Sequence, residues 1–378
     1  EGKLITLQAE TMGEVTLEGQ SCLKLGGQYL VVKGLHFKNG YTPSKAVINF
    51  KKDEETIANH CRVTECVIEN YNQPRRDKKD HWIELWGRHN EIDHCYIAGK
   101  SNDGPTLRVF LKGNQHIKNF HKVTNNHFGP RPRKGGPRGE TMQIGDSYTS
   151  MSPCNMMIAD NLFEECNGEV EVISSKTNFN EFRGNVFYKS EGSLVTRHGS
   201  YCTIDGNFFI GDGSENVGGI RLINSGHWVT NNYFYNLKGK QFRSPLAMMN
   251  GIPKSPLNRY LQVTDAVVAY NTYINCESPW HFGVGSNVSE AAVLPKSEIR
   301  SARPDRVVVA NNLIYSEKGD PNPIMTHDSI DGITFKSNVI SNNGVGHRAI
   351  DGLYDTEFSV TEMGDYVYAV DGRIDTVP

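Results

Sequence analysis

One short phrase recurs along this chain: two apolar or β-branched residues, a polar step, then Asn, Cys or His followed by further apolar residues. It reads RVTECVI at 62–68, EIDHCYI at 91–97, KVTNNHF at 122–128, MIADNLF at 157–163, EFRGNVF at 181–187, TIDGNFF at 203–209 and WVTNNYF at 228–234. LVVKGLHF at 30–37, VVAYNTY at 267–273, VVVANNLI at 307–314 and ITFKSNVI at 333–340 bring the copies to eleven. Asn161, Asn185, Asn207 and Asn232 follow one another at intervals of 24, 22 and 25 residues. That length holds about three short strands and their turns, which is one coil of a β-solenoid with strands stacked at roughly 4.8 Å. The fold class expected is therefore all-β, a single-stranded right-handed parallel β-helix, with the repeated Asn forming an amide ladder inside a turn. Cys66, Cys95 and His127 fall on or beside that column and are expected to be stack members.

Longer intervals mark insertions: 31 residues before Asn126, 35 before Asn161, 39 before Asn271 and 41 before Asn312. Insertions in a solenoid become loops, and such loops tend to gather on one face and build a cleft. The Gly/Pro-rich loop 129–140 carries four cationic side chains, Arg131, Arg133, Lys134 and Arg138, and two further loops span 248–262 and 286–306. No change of composition interrupts the series, so a single domain over 1–378 is expected.

Net charge is −3, which excludes a general nucleic-acid binder, because counterion release requires a clear basic excess. Basic residues still cluster locally at Lys51-Lys52, Arg75-Arg76 with Lys78-Lys79, and Arg131 to Arg138, so an anionic partner can be steered to part of the surface. No stretch is apolar enough to span a bilayer, and no membrane partner is expected. The eight cysteines include no CxxC pair and no zinc-type spacing, and most are expected to be buried thiols.

Four polar stretches fall on successive coils: GETMQIGDS at 139–147, NGEVEVISSKTNF at 167–179, GSLVTRHGS at 192–200 and GGIRLINSGH at 218–227. A coil of 22 to 25 residues sets Arg197 beside Ser175 or Lys176, and Arg221 beside Arg197. Lys176, Arg197, His198 and Arg221 then crowd one strip, which costs Coulomb energy unless an anion binds there. Glu169 and Glu171, two apart in a strand, point to one face and can hold a cation or position a lysine. A uronic acid carries its carboxylate on C5, and neutralising that group acidifies the C5 proton so that a base removes it and O4 departs. A lysine serves as that base when neighbouring arginines depress its pKa.

The run NGEVEVISSKTNFNEFRGNVFYKSEGSLVTRHGSYCTIDGNFFIGDG at 167–213, with GGIRLI at 218–223 and FRSPLAMMNG at 242–251, resembles polysaccharide lyase family 6, the alginate lyases and chondroitinase B. The resemblance covers essentially the whole chain. It implies Lys176 as Brønsted base and Arg197 as Brønsted acid, with His198, Arg221, Glu140, Gln143 and Arg243 binding substrate. It also implies that Glu169 and Glu171 correspond to calcium ligands. Family members place an Asn three residues before the Glu of a G-E-x-x-x-I-G segment, whereas here Pro137 precedes Glu140 at that spacing and has no side-chain oxygen to offer. Calcium is thus possible but not expected to be required. The chain opens at GKLITLQAE as if within a coil, so trimming at both ends is expected.

The expected activity is β-elimination on alginate, favouring mannuronate-rich stretches and leaving 4,5-unsaturated uronate ends, by a monomer that is periplasmic or secreted. A lyase for chondroitin or dermatan sulfate and a non-catalytic β-solenoid that binds polyanionic glycan are the alternatives. A galacturonan hydrolase would need clustered aspartates on adjacent coils, and none fall near this strip.

Overall fold

Each repeat forms two short strands with a corner between them. Strands such as Arg62–Thr64 and Val67–Glu69, or Met157–Ala159 and Leu162–Glu164, flank a two-residue turn. The residue before the column position takes a left-handed backbone, with φ of 52° at His94, 56° at Asn125 and 56° at Asp160. The next residue fills the inside of the turn. In the computed structural model, which describes residues 3–372, the elements are almost all strands, with a few one-turn 3-10 segments. No helix is long and apolar enough to cross a membrane. The fold is a right-handed parallel β-helix. Contacts gather the chain into two compact units, Glu1–Val186 and Phe187–Pro378.

In the first unit, Arg62–Thr64, Glu91–Asp93, Lys122–Thr124, Met157–Ala159 and Glu181–Arg183 pair in parallel within one sheet. Val67–Glu69, Tyr96–Ala98, His127–Phe128 and Leu162–Glu164 form part of a second. A third sheet runs Leu23–Lys24, Ala46–Asn49, His81–Leu85, Leu107–Val109, Met142–Ile144 and Glu171–Ser175. The Asn ladder joins the coils: the Asn126 and Asn161 backbone N–H groups donate to Asn161 Oδ1 and Asn185 Oδ1 at 3.0 and 3.1 Å. Cys95 N–H donates to Asn126 Oδ1 at 3.0 Å, so Cys95 is a member of the column. Phe128 and Phe163 stack inside at 5.0 Å.

The second unit repeats the plan. Its third sheet comprises Gly192–Val195, Val217–Leu222, Leu246–Met249, Trp280–Val284 and Ile324–Thr326. Its ladder runs through Asn207, Asn232, Asn271, Asn312 and Asn338, each N–H donating to the next Oδ1 at 2.9–3.0 Å. Phe209, Phe234 and Tyr273 stack beneath it. An antiparallel hairpin, Val360–Gly364 with Val367–Val370, follows the last coil. All eight cysteines are free thiols, and seven of them are buried.

Candidate active site

In the first unit the candidate residues collect at the end of the third sheet. Gln143 sits in register between Arg108 and Ser174, so it lies on the same file as Glu171–Ser175, with its Nε2 donating to Gly145 O at 2.8 Å. Lys176 follows that strand directly and is half-buried; its N–H donates to Ile144 O at 2.9 Å while its carbonyl accepts from Met151 N–H at 3.0 Å. These two bonds fix the backbone from which the lysine projects. Glu140 and Glu171 are buried and Glu169 partly so. Burial, then the charge of Glu140, pushes Glu169 up to about 7; burial and the charge of Glu171 raise Glu140, and Lys176 acts against both shifts. The three carboxyls and the lysine therefore share one electrostatic neighbourhood.

Glu169 departs from the sequence expectation. The strand begins only at Glu171, so Glu169 is not the strand partner of Glu171 that alternation implied. The reason is a close backbone approach: a Cβ on Gly139 would lie 2.3 Å from Gly168 O, and one on Gly168 would lie 2.3 Å from Gly139 O. The chain bends there, and Gly139 N–H donates to Glu169 Oε2 at 3.0 Å.

The loop 129–140 also differs from its reading as a set of cations open to substrate. Arg131 is buried, donating to Thr106 Oγ1, Glu140 O and Gly104 O, and burial lowers its pKa to about 10. Lys134 and Arg138 both reach Asp103 at 2.8 Å. These side chains fasten the loop to the coil beneath it, because a carboxylate and carbonyls were within their reach.

As calcium ligands the carboxylates form an incomplete set. One Glu169 oxygen accepts a backbone N–H, and the Pro137 carbonyl accepts from Lys134 Nζ at 2.9 Å. Among the described residues no group of three or more His, Cys, Asp or Glu side chains is arranged to hold a metal ion. This donor set does not fit calcium, and no step is derived through it.

In the second unit, Arg197 follows the strand Gly192–Val195 and is half-buried, whereas His198 beside it is 2% exposed. Thr196 anchors the segment, its Oγ1 donating to Ile223 O at 2.9 Å and accepting from Ile223 N–H at 3.0 Å. Arg197 Nη1 donates to His198 Nε2 at 3.1 Å and to Arg259 O at 3.3 Å, and its guanidinium lies 4.5 Å from the Tyr260 ring. Arg221 faces Val195 rather than Arg197, a correction to the expected register. A bulge between Gly192 and Leu194 adds one residue to that coil. Arg221 and Arg243 approach the Phe242 ring at 5.5 and 5.3 Å, and Phe242 and Tyr260 pack on a buried floor of Val195, Ile223, Ala247, Met249 and Val284. Sequence reasoning missed Tyr260 and Phe242; the Arg-Tyr pair at 259–260 inside a long insertion was the available signal.

The third sheet of the first unit thus bears buried carboxyls and a lysine, and that of the second unit bears arginines on aromatic rings. The chain belongs to the chondroitinase B family, which it matches over residues 1–377. It resembles the solved family 6 alginate lyase AlyGC, with 38% identity and a TM-score of 0.93 over 98% of this chain and 49% of that one. A mannuronic acid specific family 6 lyase from human gut microbiota shares 30% identity, with a TM-score of 0.81 over 94% of this chain and 80% of that one. The family 6 polysaccharide lyase Pedsa3628 from Pseudopedobacter saltans shares 26%, with a TM-score of 0.77 over 91% and 83%. The chain spans about half the length of AlyGC. No curated protein sequence gives a significant match.

Proposed function

We propose that the protein is a polysaccharide lyase that cleaves alginate, mannuronate-rich stretches foremost, by β-elimination. The observation that carries this reading is the placement of Lys176 and Arg197, each just past the carboxyl end of a third-sheet strand in its own unit and each pinned by backbone or threonine hydrogen bonds. Lys176 takes the C5 proton. The electron pair forms the C4–C5 double bond, the C4–O4 bond breaks, and Arg197 supplies the proton to O4, so no water is consumed. His198, Arg221 and Arg243 bind carboxylates and hydroxyls of the chain, with Glu140 and Gln143 acting from the first unit. Because guanidinium cannot accept, the Arg197 bond to His198 requires Nε2 to be the acceptor, which orients Arg197.

Neutralisation of the C5 carboxylate falls to the cationic side chains, without a requirement for calcium. An unsulfated polymer is favoured over dermatan or chondroitin sulfate because Arg131, Lys134 and Arg138 are engaged within the protein. The polymer is too large to enter a cytoplasm intact, so a periplasmic or secreted site of action follows, and the working form proposed is a monomer.

The test is absorbance near the ultraviolet edge during digestion of polymannuronate, polyguluronate and dermatan sulfate. Unsaturated uronate ends raise it. Reducing ends that accumulate without that rise would establish hydrolysis instead.

A further inference from the structure

The third sheet of the first unit carries a cleft of about 710 Å³, lined by none of the residues assigned above. Asn49, Glu84 and Arg108 stand in file along it, and the file continues in register through Gln143 to Ser174. At roughly 4.8 Å per coil, Glu84 lies three coils, about 14 Å, from Ser174. One coil is close to the length of one sugar residue in a polymer, so a glycan laid along the file meets a fresh strand with each ring.

The lining carries six cationic side chains, five lysines and Arg108, against four carboxylates. Glu54 is taken by Lys51 and Asp80 by the buried Lys100, while Asp53 and Glu84 keep their charge, so the cleft stays cationic. Exposed Lys24, Lys45, Lys52 and Lys79 form no salt bridge among the described residues. Lys51 Nζ lies 3.7 Å over Trp86, which stacks on Phe110 at 3.9 Å, and the Arg108 guanidinium lies 4.8 Å from Phe110. That layered wall holds the cations in place.

Two buried acceptors complete the cleft. His81 and Glu84 are both more than nine-tenths buried. Glu84 receives His81 Nδ1 at 2.7 Å and Trp86 Nε1 at 3.2 Å. A carboxylate only accepts, so the neutral His81 ring carries its proton on Nδ1 and presents a lone pair at Nε2. Burial lowers the His81 pKa and keeps the ring neutral. Among the described residues neither His81 Nε2 nor Asn49 Oδ1 has a partner, and a buried acceptor left unpaired costs free energy until a donor reaches it. Lysines call for an anion and the two acceptors call for hydroxyl donors. Sulfate supplies only the first, whereas a sugar acid supplies both.

We propose that this cleft anchors a uronosyl residue of the polymer, three coils from the strand that Lys176 follows. The protein then grips a run of several sugars along the third sheet of the first unit. This rests on the polyuronate-lyase reading and adds to it a distal site that favours long chains.

The experiment uses the inactive Lys176→Ala protein, so that bound chains stay intact, and measures calorimetric affinity for a mannuronate trisaccharide and an octasaccharide. The octasaccharide is expected to bind roughly tenfold more tightly, and the double variant Lys45→Ala/Lys79→Ala in the same background, altering two exposed side chains, is expected to abolish that gain. Equal affinity for both lengths, or a gain that survives the double variant, overturns the distal site alone. Failure to bind uronan of any length overturns the lyase reading and this site together.

Discussion

Asn161 gives two hydrogen bonds to one atom of Asn185: its backbone N–H at 3.1 Å and its Nδ2 at 2.9 Å both point to Asn185 Oδ1. Asn185 Nδ2 in turn donates to Ile158 O at 2.9 Å, so one buried amide satisfies the backbone of the coil before it. Asn185→Leu strands a buried N–H and a buried carbonyl at once, and is expected to cost roughly 2–5 kcal/mol. Thermal unfolding measures this; a change in stability within about 0.5 kcal/mol would show that the ladder follows the fold rather than holding it.

Lys176→Ala and Arg197→Ala are each expected to reduce formation of unsaturated product by about 10²-fold or more, the usual scale for losing a positioned proton-transfer group. Far-ultraviolet circular dichroism should be unchanged, since neither side chain belongs to the buried core. Near-normal turnover by either variant would remove that residue from the mechanism.

Chelation is expected to leave turnover within about twofold, because the Glu169 and Glu171 pair lacks the third side-chain ligand, which Pro137 cannot supply. Loss of activity in excess chelator, restored by added calcium, would overturn this reading of the carboxylates.

Acid is expected to destabilise the protein through its buried histidines. Burial lowers His121 to about 3 and His227 to about 4. Each ring accepts a backbone N–H at Nδ1, from Asn90 at 3.1 Å and Cys202 at 3.3 Å, so protonation would break that bond. Their folded pKa values lie below the ordinary histidine value of about 6.5, so the unfolded chain binds more protons between about 6.5 and 4. Stability is full above that window and declines as pH falls through it. Asn90 and Asn180 accept the N–H groups of Cys61 and Met156 in the same way, so His227→Asn has a precedent within the chain. That variant should flatten the decline in melting temperature between pH 6.5 and pH 4; an unaltered slope would mean that His227 does not titrate there.

The repeat made the winding legible from the residues alone, because a coil that returns every 22 to 25 residues leaves its Asn and its apolar pair at the same place each time. The periodic signal is local, and Asn126, Asn161 and Asn185 form the ladder it implied. Lys176 directly follows the strand Glu171–Ser175, in which Ser174 pairs with Gln143 of the coil before. Where the period was disturbed, the reading slipped: the bulge after Gly192 moved Arg221 opposite Val195, and the contact between Gly139 and Gly168 took Glu169 out of its strand.

Side-chain partners across long sequence distances lay beyond any period. Only the folded chain brings Asp103 to Lys134 and Arg138, turning apparent substrate cations into loop fasteners, and only packing sets Arg197 over Tyr260 from a loop more than sixty residues on. Residue order determined the coil, its ladder and the strand ends from which chemistry can project. Tertiary structure decided which charges remain available to a ligand, because availability depends on what else each charge can reach.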